Sequence, residues 1–192
     1  MANLPFCFQN RANEVGLKNV LHFLFQFVSA TFVSIDTVSI EKNYNNAEGM
    51  LNLLNNNLKN AGEEDWKIVF GHYPCFSGGN YAGSEILQEK VLPIMEANKV
   101  DFYLSGHDHN QQHWVKMGNS RGIEHITNGA GGRSLYSQNI DNVKKNERKG
   151  MELEFFDKQY GFSYFKVDKD KITVQFVNSN GQVLHQITRN KY

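Results

Sequence analysis

Two short runs carry the residues best suited to chemistry. Gly71-His72-Tyr73-Pro74 follows the apolar stretch WKIVF at 66–70, and Gly106-His107-Asp108-His109-Asn110 follows VDFYLS at 100–105. Neutral imidazole is the commonest metal ligand, and the set His72, His107 and His109 suits zinc, iron, manganese or copper. The glycine ahead of each histidine run lets the backbone turn sharply and come close to a ligand. Ends of strands in an α/β sheet face the crevice where ligands bind. A lone Gly-His is more simply a satisfied core histidine. Two such runs, each closing a strand in consecutive α/β units, point to a metal site instead. A third run, Asn128-Gly129-Ala130-Gly131-Gly132, reads either as a tight turn or as a glycine-rich wall of the same cleft. In the second reading its backbone groups lie near a phosphate, and Asn128 and Gly129 are the substrate-binding candidates. His113 and His125 sit in strand-like patterns and read as surface or supporting residues, while His22 and His185 have no supporting context.

The elements that must position these runs follow from hydrophobic periodicity. Residues 31–40, TFVSIDTVSI, are β-branched and apolar and predict a buried strand. Met50, Leu51, Leu53, Leu54 and Leu58 recur at helical spacing and predict a helix over 47–60 that ends near Gly62. The run 66–70 predicts a short strand, followed by the glycine-rich loop 74–83. Residues 84–98 carry a helical stripe capped by Ser84, with Pro93 inside it to kink or divide it. The run 100–105 predicts another strand. Beyond it, 113–116, 123–127, 152–156, 161–167, 172–177 and 183–188 read as strands with no helix between them, and Asn180-Gly181 marks a hairpin between the last two. Residues 138–150, QNIDNVKKNERKG, are polar and basic and read as a solvated loop.

Composition narrows the class. The chain has 192 residues, with 20 Lys plus Arg against 20 Asp plus Glu, so no whole-molecule field draws it to nucleic acid or to an anionic membrane. Hydrophobic residues make up 40%, enough for a sizeable core. The apolar run 20–33 is broken by His22, Gln26 and Ser29 and falls short of the ~18 residues a membrane helix needs. Read as a signal peptide cut after Ala30, it is preceded by a long polar segment containing Glu14, and a strand pair or buried segment fits better. Cys7 and Cys75 are too few for a disulfide scaffold and read as separate thiols. None of the 23 asparagines lies in an N-x-[ST] sequon.

Taken together, these motifs resemble the calcineurin-like metallophosphoesterases, and more narrowly the tartrate-resistant, or purple, acid phosphatases. The resemblance is carried by Ile35-Asp36-Thr37-Val38, G-H-Y-P at 71–74, G-H-D-H-N at 106–110, Asn128–Gly132 as the family's N/S-G-A-G segment, and Gly161-Phe162-Ser163-Tyr164 with two strands after it. It spans roughly 31–192, a partial metallophosphoesterase domain, with 1–30 as an unassigned N-terminal segment. The implied fold is α/β: the C-terminal portion of a β-sandwich flanked by helices in four layers, α/β/β/α, without its N-terminal strands. The implied cofactor is a pair of metal ions, iron with iron, zinc or manganese. His72 and His107 would bind the divalent ion and His109 the ferric one. The implied substrate is a phosphomonoester. Such esters hydrolyse very slowly in water, and two metals supply a hydroxide and neutralise charge at the attacking and leaving oxygens. Family members are usually secreted or lysosomal, which this sequence leaves undecided.

The departure from the family is as informative as the match. Its earlier motifs, G-D-x-G, G-D-x-x-Y and G-N-H-[DE], are absent, and the chain contains no Gly-Asp and no Asn-His dipeptide. Those motifs hold the bridging carboxylate and the other oxygen ligands, so only imidazoles remain. Ferric iron is a hard cation that wants oxygen donors. The expectation is weak metal binding, negligible hydrolysis by this chain alone, and sheet edges open to association. The alternatives are a non-catalytic binding module and a single-metal binder on His72, His107 and His109.

Overall fold

The computed structural model describes residues 24–27, 29–44, 47–63, 66–118 and 121–191. Cys7 and His22 lie outside the described residues. The chain builds two sheets. The larger has seven strands in the order β1-β2-β3-β4-β6-β5-β7, formed by β1 (Leu24–Phe27), β2 (Ala30–Ser34), β3 (Trp66–Phe70), β4 (Phe102–Ser105), β5 (Gln111–Lys116), β6 (Glu124–Asn128) and β7 (Met151–Asp157). Strands β2, β3, β4 and β6 run parallel, while β1, β5 and β7 are antiparallel to their neighbours. The smaller sheet is an antiparallel meander of β8 (Gly161–Val167), β9 (Lys171–Asn178) and β10 (Val183–Asn190), with β9 in the middle.

Strands covered on both faces read as continuous apolar runs, and the central strands show why. In β3, Trp66 and Ile68 join Phe102, Ile126, Ile172, Val174, Phe176 and Ile187 between the sheets. Val69, one residue on, points to the opposite face. There it joins Val33, Tyr103 and Trp114 against Met50, Leu54, Leu58, Leu87 and Met95 of the helices. The helical layer therefore lies on one face of the large sheet and the small sheet on the other. The apolar spacing of α2 (Ala47–Lys59) puts Ala47, Met50, Leu54 and Leu58 on its buried side.

Three local readings change. The segment 31–40 is not one strand: β2 stops at Ser34, and α1 (Thr37–Glu41) begins three residues later. Asp36 ends the strand because its carboxylate accepts the Ser39 backbone N–H, an N-cap that competes with extension. The predicted 84–98 helix is divided, as Pro93 suggests, into α3 (Glu85–Lys90) and α4 (Leu92–Ala97), with Ser84 capping the first. The polar stretch 138–150 is not a loop. It contains α5 (Ile140–Glu147), capped by Asn139 and anchored by buried Val143 and Asn146. The Asn146 amide donates to the Ser77 and Ala82 carbonyls, a tertiary tie that polarity alone conceals. The 180–181 turn is as expected, with Gly181 at φ 79° closing β9 onto β10.

Candidate metal centre and its imidazole pair

His72 and His107 leave the carboxyl ends of neighbouring parallel strands, β3 and β4. The two loops are tied by backbone bonds from Gly71 N–H to the Leu104 carbonyl and from Gly106 N–H to the His72 carbonyl, both 3.0 Å. His107 Nδ1 and His72 Nε2 lie 3.1 Å apart. His107 adopts φ 64°, a left-handed backbone that is unusual outside glycine and is held by its surroundings. Tyr73 and Tyr81 pack on its ring at centroid distances of 4.3 and 4.5 Å. Burial, with the charges of His72 and His109 behind it, holds the His107 imidazole below the ordinary range.

Two supports keep this pair in place. Thr37 Oγ1 accepts the backbone N–H groups of both His72 and Tyr73 at 2.9 Å. The close approach needs Gly71, since a Cβ there would sit 2.5 Å from the Thr37 methyl. The D-T-V segment is therefore a bracket: Asp36 starts the helix and Thr37 holds the histidine loop. The second support is Asp108, which is fully buried and whose carboxylate is bound to the 77–81 loop. It accepts the Ser77 hydroxyl and the Asn80 and Tyr81 backbone N–H groups. Burial raises its pKa, against the opposing pull of those three bonds. Beneath it, Gln112 donates to Ser77 and Asn110 and accepts from Gly78 N–H and the Trp114 indole. The loop after β3 and the G-H-D-H-N loop are thus one polar unit.

His109 goes elsewhere. Its Nδ1 meets the Ser134 carbonyl at 2.8 Å, and its ring stacks on Tyr136 at 4.2 Å. Gly129 reaches the G-H-D-H-N loop, its N–H donating to the Asn110 carbonyl at 3.1 Å. The Asn128 amide donates to the Ser163 hydroxyl, and Gly129 packs so tightly that a Cβ would lie 2.1 Å from the Asp108 carbonyl. The tyrosine collar and the Asp108 network escaped the sequence reading, because their signal is contact between residues distant in sequence. His113 and His125 also diverge from a surface role. His125 is buried beside Phe76 and Tyr103, and His113 bonds to Glu124.

A two-metal centre does not fit the donors described. Among the described residues, no group of three or more His, Cys, Asp or Glu side chains is arranged to hold a metal ion. The carboxylate nearest in sequence, Asp108, faces inward, and Asp36 is used as a cap. Two like-charged ions also need a bridging oxygen ligand between them, and nothing in this set provides one.

Comparison with known proteins places the chain in a class. The calcineurin-like phosphoesterase family matches residues 8–111, and the iron/zinc purple acid phosphatase-like C-terminal family matches residues 122–186. The chain belongs to the calcineurin-like phosphoesterase family. It is similar to purple acid phosphatase 3 of Arabidopsis thaliana, 32% identical over 62% of this chain and 31% of that protein. It is similar also to glideosome-associated protein 50 of Plasmodium falciparum, 30% identical over 82% of this chain and 38% of that protein. In structure it resembles purple acid phosphatase PPD1 from yellow lupin seeds, with a TM-score of 0.73 and 18% identity, covering 88% of this chain and 32% of that one. The chain spans about a third of the length of the curated relatives it matches.

Proposed function

We propose that this chain carries the imidazole side of a purple-acid-phosphatase-type phosphomonoesterase site, and that residues 1–192 alone bind a divalent ion weakly and do not turn over. The observation that carries the reading is the His72–His107 pair, two ring nitrogens 3.1 Å apart at the ends of adjacent parallel strands. Ring nitrogens so placed can share one zinc-class ion. His109, bonded to Ser134, is set apart from the pair, as a residue serving a different ion would be. Among the described residues, no carboxylate completes a metal-holding group with the pair. The test is p-nitrophenyl phosphate hydrolysis with iron, zinc or manganese added, alongside zinc titration. The expected result is a flat hydrolysis trace, with weak zinc binding that His72→Ala or His107→Ala removes. Turnover that disappears in His107→Ala would overturn the claim of inactivity, and zinc binding indifferent to both substitutions would overturn the site.

A second reading, a non-catalytic binding module, is favoured by the similarity to glideosome-associated protein 50 across most of the chain. It predicts a folded monomer whose melting temperature is unchanged by chelator and by His72→Ala.

A further inference from the structure

The second cluster of titratable side chains lies at the seam of the two sheets, away from the His72–His107 pair. His113 of β5 reaches Glu124 Oε2 of β6 through Nε2 at 2.7 Å, and His185 Nε2 of β10 through Nδ1 at 3.1 Å. Both histidines sit at register irregularities. The β5–β7 ladder shifts between His113 and Trp114, passing over Glu154, and the β10–β9 ladder shifts between Val183 and His185. Bulges of this kind re-aim side chains. His185 is further held flat on Phe155, with ring centroids 4.8 Å apart and planes 4° apart. The other oxygen of Glu124 faces Arg189 of β10 at 3.4 Å, and Arg189 also meets Asp101 at 3.5 Å and donates to the Gly122 carbonyl. One carboxylate of the large sheet therefore ties β10 at two points, through His185 and through Arg189.

We propose that His113 and His185 form an acid-released latch between the two sheets, anchored by Glu124. An ionised Glu124 takes the Nε2–H of His113, which leaves Nδ1 as a lone pair. The proton between the rings then belongs to His185 Nε2. One extra proton is tolerated, since an outer Nδ1–H on His185 leaves this bridge intact. A second proton puts two N–H groups face to face at hydrogen-bonding distance, and the latch opens. The charges facing His185 are His113 on β5, Glu124 on β6 and Glu154 on β7. Burial and then His113 hold its imidazole below the ordinary range, with Glu154 and Glu124 opposing. A depressed value in the folded state means that the unfolded or released form binds more protons below the ordinary imidazole value, so release is favoured as pH falls. The apolar seam of Phe102, Ile126, Val174 and Phe176 stays packed, so release is local to β10 and leaves the sheets together.

The test is hydrogen exchange resolved by segment, as protection factors, at about pH 7.5 and about pH 5, either side of the ordinary imidazole value. In the wild-type chain, amides of 183–187 should lose protection by roughly five- to tenfold at the lower pH, the worth of one partly buried hydrogen bond, while those of β3 hold steady. In His185→Gln, which donates one amide proton at every pH, the β10 loss should vanish. Equal pH responses in the two proteins would overturn the latch. Imidazole NMR titration of the wild-type chain decides the matter even if the variant folds poorly. A His185 imidazole held below the ordinary value is expected, and titration of His185 at the ordinary value would overturn the proposal.

Discussion

At the scale of single residues, the chemistry of a side chain is set by what it touches. Thr37 has the plainest role: one hydroxyl oxygen accepts two backbone N–H groups of the histidine loop. Thr37→Val keeps the shape and strands both donors, so it should cost about 2 kcal/mol, read by urea denaturation, with Thr37→Ser close to wild type. His125 makes the opposite case. It is buried among Phe76 and Tyr103, its Nδ1 has no hydrogen-bond partner among the described residues, and burial pushes its pKa down to about 3. The unfolded chain protonates this ring below about 6.5 and the folded chain does not, so stability present above that pH is lost as pH falls from there toward 3. The slope reaches at most about 1.4 kcal/mol per pH unit. His125→Leu should flatten that part of the acid limb, measured as the difference in unfolding free energy between the two proteins near pH 7 and near pH 5.

At the scale of elements, tight backbone approaches decide whether the loops meet. Gly129 closes β6 onto the G-H-D-H-N loop, where a Cβ would fall on the Asp108 carbonyl, backbone against backbone. No side-chain rotation relieves that contact, so Gly129→Ala should destabilise by about 3 kcal/mol or more, within the range of overpacked sites. It should also lower thermal stability without altering the helix content seen by circular dichroism in whatever fraction folds. The hinge between α3 and α4 and the cap at Ser84 were legible beforehand, because proline and serine act on their own backbone neighbours. α5 was not legible. Its residues are polar, and what secures it is Asn146 bonded to carbonyls more than sixty residues earlier in the chain.

At the scale of the whole molecule, the small sheet is left with an edge. β8 alternates, and Phe162 and Tyr164 stand on its outward side at 55% and 52% exposure. No described helix covers that face, whereas helices pack on the outer face of the large sheet. Edge strands bearing exposed aromatics favour association. Replacing Phe162 and Tyr164 together by Lys should lower any concentration-dependent self-association, checked by sedimentation velocity, while leaving the melting temperature within a few degrees.

Residue order and type were enough to determine the α/β alternation, the six late strands, the proline break and the two histidine loops. They also determined the family, since each motif is a short run whose spacing is local. The departure from the family's ligand set was equally local, being a matter of which dipeptides the chain contains. Only the tertiary structure decided which imidazoles meet. His107 and His109 are two residues apart in sequence, yet one faces His72 and the other Ser134, because His107 takes a left-handed backbone and Asp108 is pulled into the interior between them. It alone joined His113 to His185 across 72 positions. Such pairings depend on strand order and bulge placement, which are fixed by packing across the sheets and leave no trace in neighbouring residues.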